Sequence, residues 1–132
     1  MQKPKPTAGL RHVALFIKNF TECQHFYVGL LGMTIAWQPD DDNLYLTSGN
    51  DNLALHRAPA DFVPAQSQRL DHIGFFLIER EDVNHWHDYL LTEGVQIVAP
   101  PKDHRDGTRS FYCNDPDGNT IQLIYYPDAL SS

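Results

Sequence analysis

The feature that most limits what this chain can fold into is an internal repeat. Two segments read as strands, Leu10-Arg11-His12-Val13-Ala14-Leu15-Phe16-Ile17 and Leu70-Asp71-His72-Ile73-Gly74-Phe75-Phe76-Leu77-Ile78, and each carries a histidine as its third residue. An amphipathic helical stretch follows each one. The first runs from about Thr21 to Leu31, with Phe26, Tyr27, Leu30 and Leu31 as its apolar side, Thr21 as N-cap and Gly32 as the stop. The second runs from about Glu81 to Glu93, with Val83, Trp86, Leu90 and Leu91 at helical spacing and Gly94 as the stop. Three short strand candidates then follow in each half, Thr34–Trp37, Asn43–Thr47 and Asn52–Arg57 in the first and Val95–Val98, Arg109–Asn114 and Thr120–Tyr126 in the second. Turn-forming clusters such as Ser48-Gly49-Asn50-Asp51 and Asp115-Pro116-Asp117-Gly118-Asn119 separate them. Each half is therefore expected to be a βαβββ module, over about 8–58 and 70–127, joined by a Pro-, Gln- and Ser-containing linker at 59–69 within one 132-residue domain.

Charge and hydropathy exclude several roles. The formal net charge is −7, which argues against nucleic acid and against anionic lipid surfaces as partners. No apolar run approaches the roughly 20 residues of a membrane span. The segment Met1–Thr7 has positive charge with no apolar stretch after it, so it reads as a short frayed arm and not as a signal peptide. Cys23 and Cys113 make neither a disulfide framework nor a CxxC pair and read as small buried fillers. With nothing targeting the chain elsewhere, a cytoplasmic location is expected.

Strand side chains alternate, so His12 shares a face with Leu10, Ala14 and Phe16, and His72 shares one with Leu70, Gly74 and Phe76. Both faces of these strands are mostly apolar, which predicts cover on both sides. In the last strand Thr120, Gln122, Ile124 and Tyr126 share a face, and in the fourth Asn52, Ala54 and His56 do. A lone strand histidine is ordinarily a buried group satisfied by a hydrogen bond. Two at repeat-equivalent positions favour a metal site, because ligands must converge from different strands and imidazole is the commonest nitrogen donor. His25, His85 and His87 lie on helices and read as surface or edge residues. Ala99–Gly107 reads as a polar flap holding His104 and Arg105, and Arg109 and Tyr112 point to opposite faces of the seventh strand. Trp37 and Trp86 read as core or interface residues. No phosphate loop, nucleophile elbow or Cys/His dyad calls for an organic cofactor or a covalent nucleophile.

The pieces His12-Val13-Ala14-Leu15-Phe16, Phe26-Tyr27 with Leu31-Gly32-Met33, Asp71-His72-Ile73-Gly74-Phe75, and Phe111 through Asn119 together resemble the vicinal oxygen chelate superfamily. That superfamily comprises glyoxalase I, extradiol dioxygenases, fosfomycin-resistance transferases and bleomycin-binding proteins. The resemblance runs from about Leu10 to Pro127 and implies an α+β fold, two βαβββ modules forming a curved mixed sheet around a cup. It also implies metal ligands at His12, His72 and Gln122, with Ala54 at a fourth position used by glyoxalases. Two of these depart from the family. Gln122 stands where a glutamate is expected, and Ala54 cannot ligate. The ligand set would then be neutral, holding a divalent ion (Zn, Ni, Mn or Fe) less tightly and lacking the metal-bound base of a glyoxalase. His56 is a candidate substitute ligand or base, and Arg109, Tyr112 and His56 are candidate substrate contacts. Two functions fit: a metal-dependent lyase, isomerase or dioxygenase acting on a small substrate chelated through vicinal oxygens, or a metal-free small-molecule binder of the bleomycin-resistance type. A homodimer is expected in either case, because relatives join modules within or between chains and open sheet edges invite pairing.

Overall fold

Strand β1 (His12–Ile17) buries Leu15 and Ile17, while His12, Ala14 and Phe16 on its other face stay exposed. The same one-sided pattern recurs through the computed structural model, which describes residues 2–127. The chain divides into two units, one ending at Ala60 and the other starting at Asp61. In the first, β1 is followed by helix α1 (Phe20–Gln24), which continues as a π-helical segment (His25–Leu30), and by β2 (Thr34–Asp40), β3 (Asn43–Thr47) and β4 (Asn52–Arg57). The second holds β5 (Ile73–Leu77), α2 (Arg80–Thr92), β6 (Ile97–Asp103), β7 (Arg109–Asn114) and β8 (Thr120–Tyr125). Each unit is a βαβββ module with one four-stranded sheet, ordered β1-β4-β3-β2 and β5-β8-β7-β6. In each, the first strand lies parallel to the last and the other pairs are antiparallel. The fold is α+β, as the repeat predicts.

One face of each sheet makes the core. In the first unit Phe20, Cys23, Phe26 and Tyr27 of the helical segment are buried together with Leu44, Leu46, Leu53 and Leu55. In the second unit Val83 and Leu90 of α2 are buried with Phe111, Cys113, Ile121 and Leu123, and His87 meets the Phe111 ring edge-on at 5.5 Å. The opposite faces are open, contrary to the expectation of cover on both sides: Phe16 is 56% exposed and Phe76 54%. Both cysteines are free and buried.

Local chemistry explains where the boundaries differ from the sequence reading. The first helix starts after Asn19, two residues before the expected cap Thr21 would allow, and widens when Leu31 N–H reaches back to Phe26 C=O at 2.9 Å. Gly29 lies in that π turn, and a Cβ there would stand 2.8 Å from His25 Nδ1, so any larger residue would force the imidazole to shift. Strands β2 and β6 run past prolines that look like loop signals, Pro39 in β2 and Pro100-Pro101 in β6. Both are edge strands with irregular register, where a missing N–H breaks no ladder bond. The expected flap Ala99–Gly107 therefore shrinks, its first half being strand, to a tight turn closed by His104 N–H to Thr108 C=O at 2.8 Å. The turn before β8 winds around the buried Asp115 carboxylate, which accepts the Asp117 and Asn119 N–H groups at 2.9 Å each. Gly118 takes φ +89° there, which a side chain would strain. Among the described residues no helix is long and apolar enough to cross a membrane.

Candidate functional site

Register decides what the second unit presents on its open face. Tyr112 of β7 pairs with Gln122 of β8, and Gln122 pairs in turn with Gly74 of β5. Alternation then puts Ser110, Tyr112, Gln122 and Ile124 on the face opposite the core residues Phe111, Cys113, Ile121 and Leu123. The β6–β7 turn rises beside them and makes a cleft of about 610 Å³, lined among others by Lys102, His104, Arg105, Tyr112, Gln122 and Tyr126. Gln122 is buried at the floor, and its Nε2 donates to Ser110 Oγ and to Tyr112 Oη, each at 3.0 Å. Its Oε1 lies over Gly74, where a Cβ would come within 3.6 Å. Both amide hydrogens are engaged, so the carbonyl oxygen is the end offered to a ligand.

His72 stands immediately before β5, on the same face as Gly74. Its Nδ1 is 2.7 Å from Asp71 Oδ2 and its ring meets Tyr112 edge-on at 5.2 Å. A carboxylate only accepts, so Nδ1 carries the hydrogen and the neutral ring keeps its lone pair on Nε2. Tyr112 thus touches both His72 and Gln122, and these three sequence-predicted residues come together in one unit.

The first unit repeats the device. His12 Nδ1 is 2.7 Å from Asn52 Oδ1, its partner across the parallel β1–β4 pair, and His56 Nδ1 is 2.6 Å from Asn43 Oδ1. Amide oxygens accept, so both rings again present Nε2 as the free acceptor. His56 also meets Tyr45 edge-on at 5.8 Å, and Trp37 stacks on Tyr45 at 5.2 Å, extending the aromatic part of that face. Ala54 is fully buried between them and offers no donor.

Arg109 lies on the opposite face of β7 from Tyr112. Its guanidinium is bonded to Asp103 at 3.1 Å and to Asn84 of α2 at 2.7 Å, on the helix side of the sheet, so it is turned away from the cleft that Tyr112 lines. Asp103 also binds Arg80 at 2.9 Å, and Arg80 reaches Gly107 C=O at 3.0 Å, tying the turn to the start of α2. Within the turn, the Thr108 hydroxyl and N–H hold the Asp106 carboxyl below its usual pKa. Burial pushes the Cys113 thiol up to about 12, with the Asp115 carboxylate adding to the shift, so Cys113 is no nucleophile. Among the described residues no group of three or more His, Cys, Asp or Glu side chains is placed to hold a metal; the available donors are imidazoles and the Gln122 amide. The partner roles of Asn52, Asn43 and Asp71, which fix the imidazoles, and of Ser110, which fixes Gln122, are not part of the sequence reading. The signal for Ser110 was its alternation with Tyr112 on β7; the asparagines could be found only through cross-strand register.

The model of the glyoxalase/bleomycin resistance protein/dioxygenase superfamily matches residues 9–123. The chain belongs to that superfamily. Curated relatives agree with the assignment. Glutathione transferase FosA of Serratia marcescens is 31% identical over 117 residues, covering 86% of this chain and 78% of that protein. Metallothiol transferase FosB of Staphylococcus epidermidis is 29% identical over 122 residues, covering 86% and 79%. Among solved structures, lactoylglutathione lyase from Agrobacterium tumefaciens superposes with a TM-score of 0.74 over 92% of this chain and 96% of the other, at 17% identity, which shows a shared fold alone. The superfamily carries small-molecule chemistry on this fold, and the residues above decide what this member does with it.

Proposed function

We propose that this superfamily member is a divalent-metal enzyme acting on a small substrate bound through neighbouring oxygens, with His12, His72 and Gln122 as the metal ligands. The observation that carries this reading is the matched orientation of the two repeat-equivalent histidines. Each gives its Nδ1 hydrogen to an oxygen at 2.7 Å and keeps Nε2 for a cation, the arrangement that metal-ligating imidazoles show. Gln122 adds an oxygen donor whose nitrogen end is already engaged. When bound, the ion would supply Lewis-acid polarisation of a substrate oxygen, undiminished by ligand charge because the set is neutral.

The protein's own groups narrow the reaction. Gln122 and Ala54 provide no metal-bound carboxylate, so abstraction of a carbon-bound proton by such a base is disfavoured. The relatives named as glutathione and metallothiol transferases support group transfer to a polarised acceptor instead. Tyr112 Oη accepts from Gln122 and keeps its own hydrogen for a substrate oxygen in the cleft. His56, whose Nδ1 hydrogen goes to Asn43, keeps its Nε2 lone pair and stays a candidate substrate contact or proton acceptor. The protein is read as a homodimer.

The test is titration of protein purified without a histidine tag against Zn²⁺, Ni²⁺, Mn²⁺ and Fe²⁺. Saturable binding that His12→Ala and His72→Ala each abolish is expected. The neutral donor set also favours a second reading, a metal-free binder of the bleomycin-resistance type. Absence of saturable binding by the wild type would sink the first reading and favour the second.

A further inference from the structure

Ser110 is 1% exposed, and its hydroxyl has two partners, Gln122 Nε2 at 3.0 Å and His104 Nε2 at 2.9 Å. The amide nitrogen is a donor only. A buried hydroxyl hydrogen needs an acceptor, so it goes to His104 Nε2, and His104 is the neutral tautomer with its proton on Nδ1. That commits the rest of the chain of bonds. Ser110 Oγ, having given its hydrogen to His104, can only accept from Gln122, so the amide must turn its NH₂ end inward. Tyr112 Oη accepts the second amide hydrogen at 3.0 Å. Oε1 is left over Gly74, facing the open side of the sheet. If His104 carried its proton on Nε2, Ser110 would accept from it and aim its own hydrogen at Gln122. The amide would then rotate to bring Oε1 inward and present NH₂, which cannot ligate a cation.

We propose that His104 and Ser110 are positioning residues: the His104 tautomer, relayed through the Ser110 hydroxyl, fixes the Gln122 amide with its oxygen toward the ligand site. A glutamine ligand requires such a device and a glutamate does not, because the two ends of an amide differ and the two ends of a carboxylate are the same. The glutamine at position 122 and the His104–Ser110 pair are, on this account, parts of one arrangement. This rests on the reading of Gln122 as a metal ligand, but the orientation itself exists without metal and is measured without it.

Nitrogen-15 spectra of the metal-free protein test the relay directly. His104 should show a pyrrole-type Nδ1 and a pyridine-type Nε2, and the Gln122 side-chain amide, identified by its loss in Gln122→Glu, should show proton contacts to the Tyr112 ring. Ser110→Ala should remove those contacts and Ser110→Thr, which keeps the hydroxyl, should restore them. In metal titrations Ser110→Ala and His104→Phe should each weaken binding about ten-fold beside Gln122, the usual scale for groups that orient a ligand, and by about two-fold or less in the Gln122→Glu background. An equal loss in both backgrounds would mark a merely structural role and overturn the proposal. So would a proton on His104 Nε2, or amide contacts unchanged in Ser110→Ala. Correct tautomer and contacts in a protein that binds no metal would instead sink the metal reading and leave the relay standing.

Discussion

His72 gives its Nδ1 hydrogen to the Asp71 carboxylate across 2.7 Å, and this pair sets which ring nitrogen remains free. Asp71 is highly exposed, so water and salt compete for its carboxylate. Asp71→Ala should therefore weaken metal binding near the lower end of the usual 10–100-fold range for such partners, about ten-fold, and Asp71→Asn by less. The loss should shrink as salt is raised. Isothermal titration at two ionic strengths measures both effects. Unchanged affinity in Asp71→Ala would mean that the carboxylate does not govern the ring.

Gln122 and His72 make opposite predictions. Gln122→Glu places a charge in a neutral ligand set and should raise affinity for every divalent ion tried. His72→Ala should abolish binding while the melting temperature stays close to wild type, because His72 precedes β5 and contributes little to the core. Competition with a chromogenic chelator and a thermal melt of each variant suffice. Weaker binding by Gln122→Glu would show that the amide is not a ligand.

The open sheet faces lead to an expectation about assembly. Phe16 and Trp37 are 56% and 60% exposed in the first unit, and Phe76, packed on Tyr126 at 5.5 Å, is 54% exposed in the second. Large apolar groups on the open face of a sheet mark an interaction surface. A second copy of the chain as their partner predicts a particle of twice the 15.1 kDa chain mass in sedimentation at micromolar concentration. A species of single-chain mass would remove the dimer.

What could be read from the residues, and what could not, separates along the same lines. The repeat around His12 and His72 was legible because strand alternation and helix periodicity are local. The module plan followed; the pairing of Tyr112 with Gln122 did not, because it is set by the register of β7 against β8. The prolines of β2 and β6 misled, since whether Pro39 or Pro100 breaks a strand depends on its position in the sheet, and edge position is a property of the fold. The π turn was invisible because apolar spacing does not distinguish a bond from Leu31 N–H to Phe26 C=O from the ordinary α-helical one. Arg109 was ambiguous for a simpler reason. Alternation gives two faces and does not say which one carries the helix. The partners of the imidazoles lie forty and thirteen residues away in His12–Asn52 and His56–Asn43, beyond any local signal.

Arg80 ties the β6–β7 turn down through Asp103 and Gly107 C=O. Both charged side chains are substantially exposed, so the ion pair contributes only about 0.2–1 kcal/mol to global stability. Its effect should be local. Arg80→Ala should raise amide hydrogen exchange at residues 104–108 well before it changes the melting temperature. Exchange in the turn equal to wild type would show that the His104–Thr108 closure holds it alone.

Cys113 supplies a prediction in pH. Its folded pKa, pushed up to about 12 from 9.0 chiefly by burial, means that the native thiol stays neutral where the unfolded one ionises. Below pH 9 both states hold the proton and the full contribution to stability is present. As pH rises from 9 toward 12 the unfolded state alone releases its proton, and stability falls by as much as about 1.4 kcal/mol per pH unit from this group. Lysines and tyrosines titrate in the same window, so the comparison is between the wild type and Cys113→Ala. The wild type should lose more stability between pH 8 and pH 10.5, measured by urea unfolding at each pH. At pH 8 a disulfide reagent should leave the native thiol untouched and label it only in denaturant, because the thiolate is the reactive form and the side chain is fully buried. Parallel pH curves for the two proteins, or labelling of native Cys113 at the rate of a free thiol, would show that its surroundings admit water.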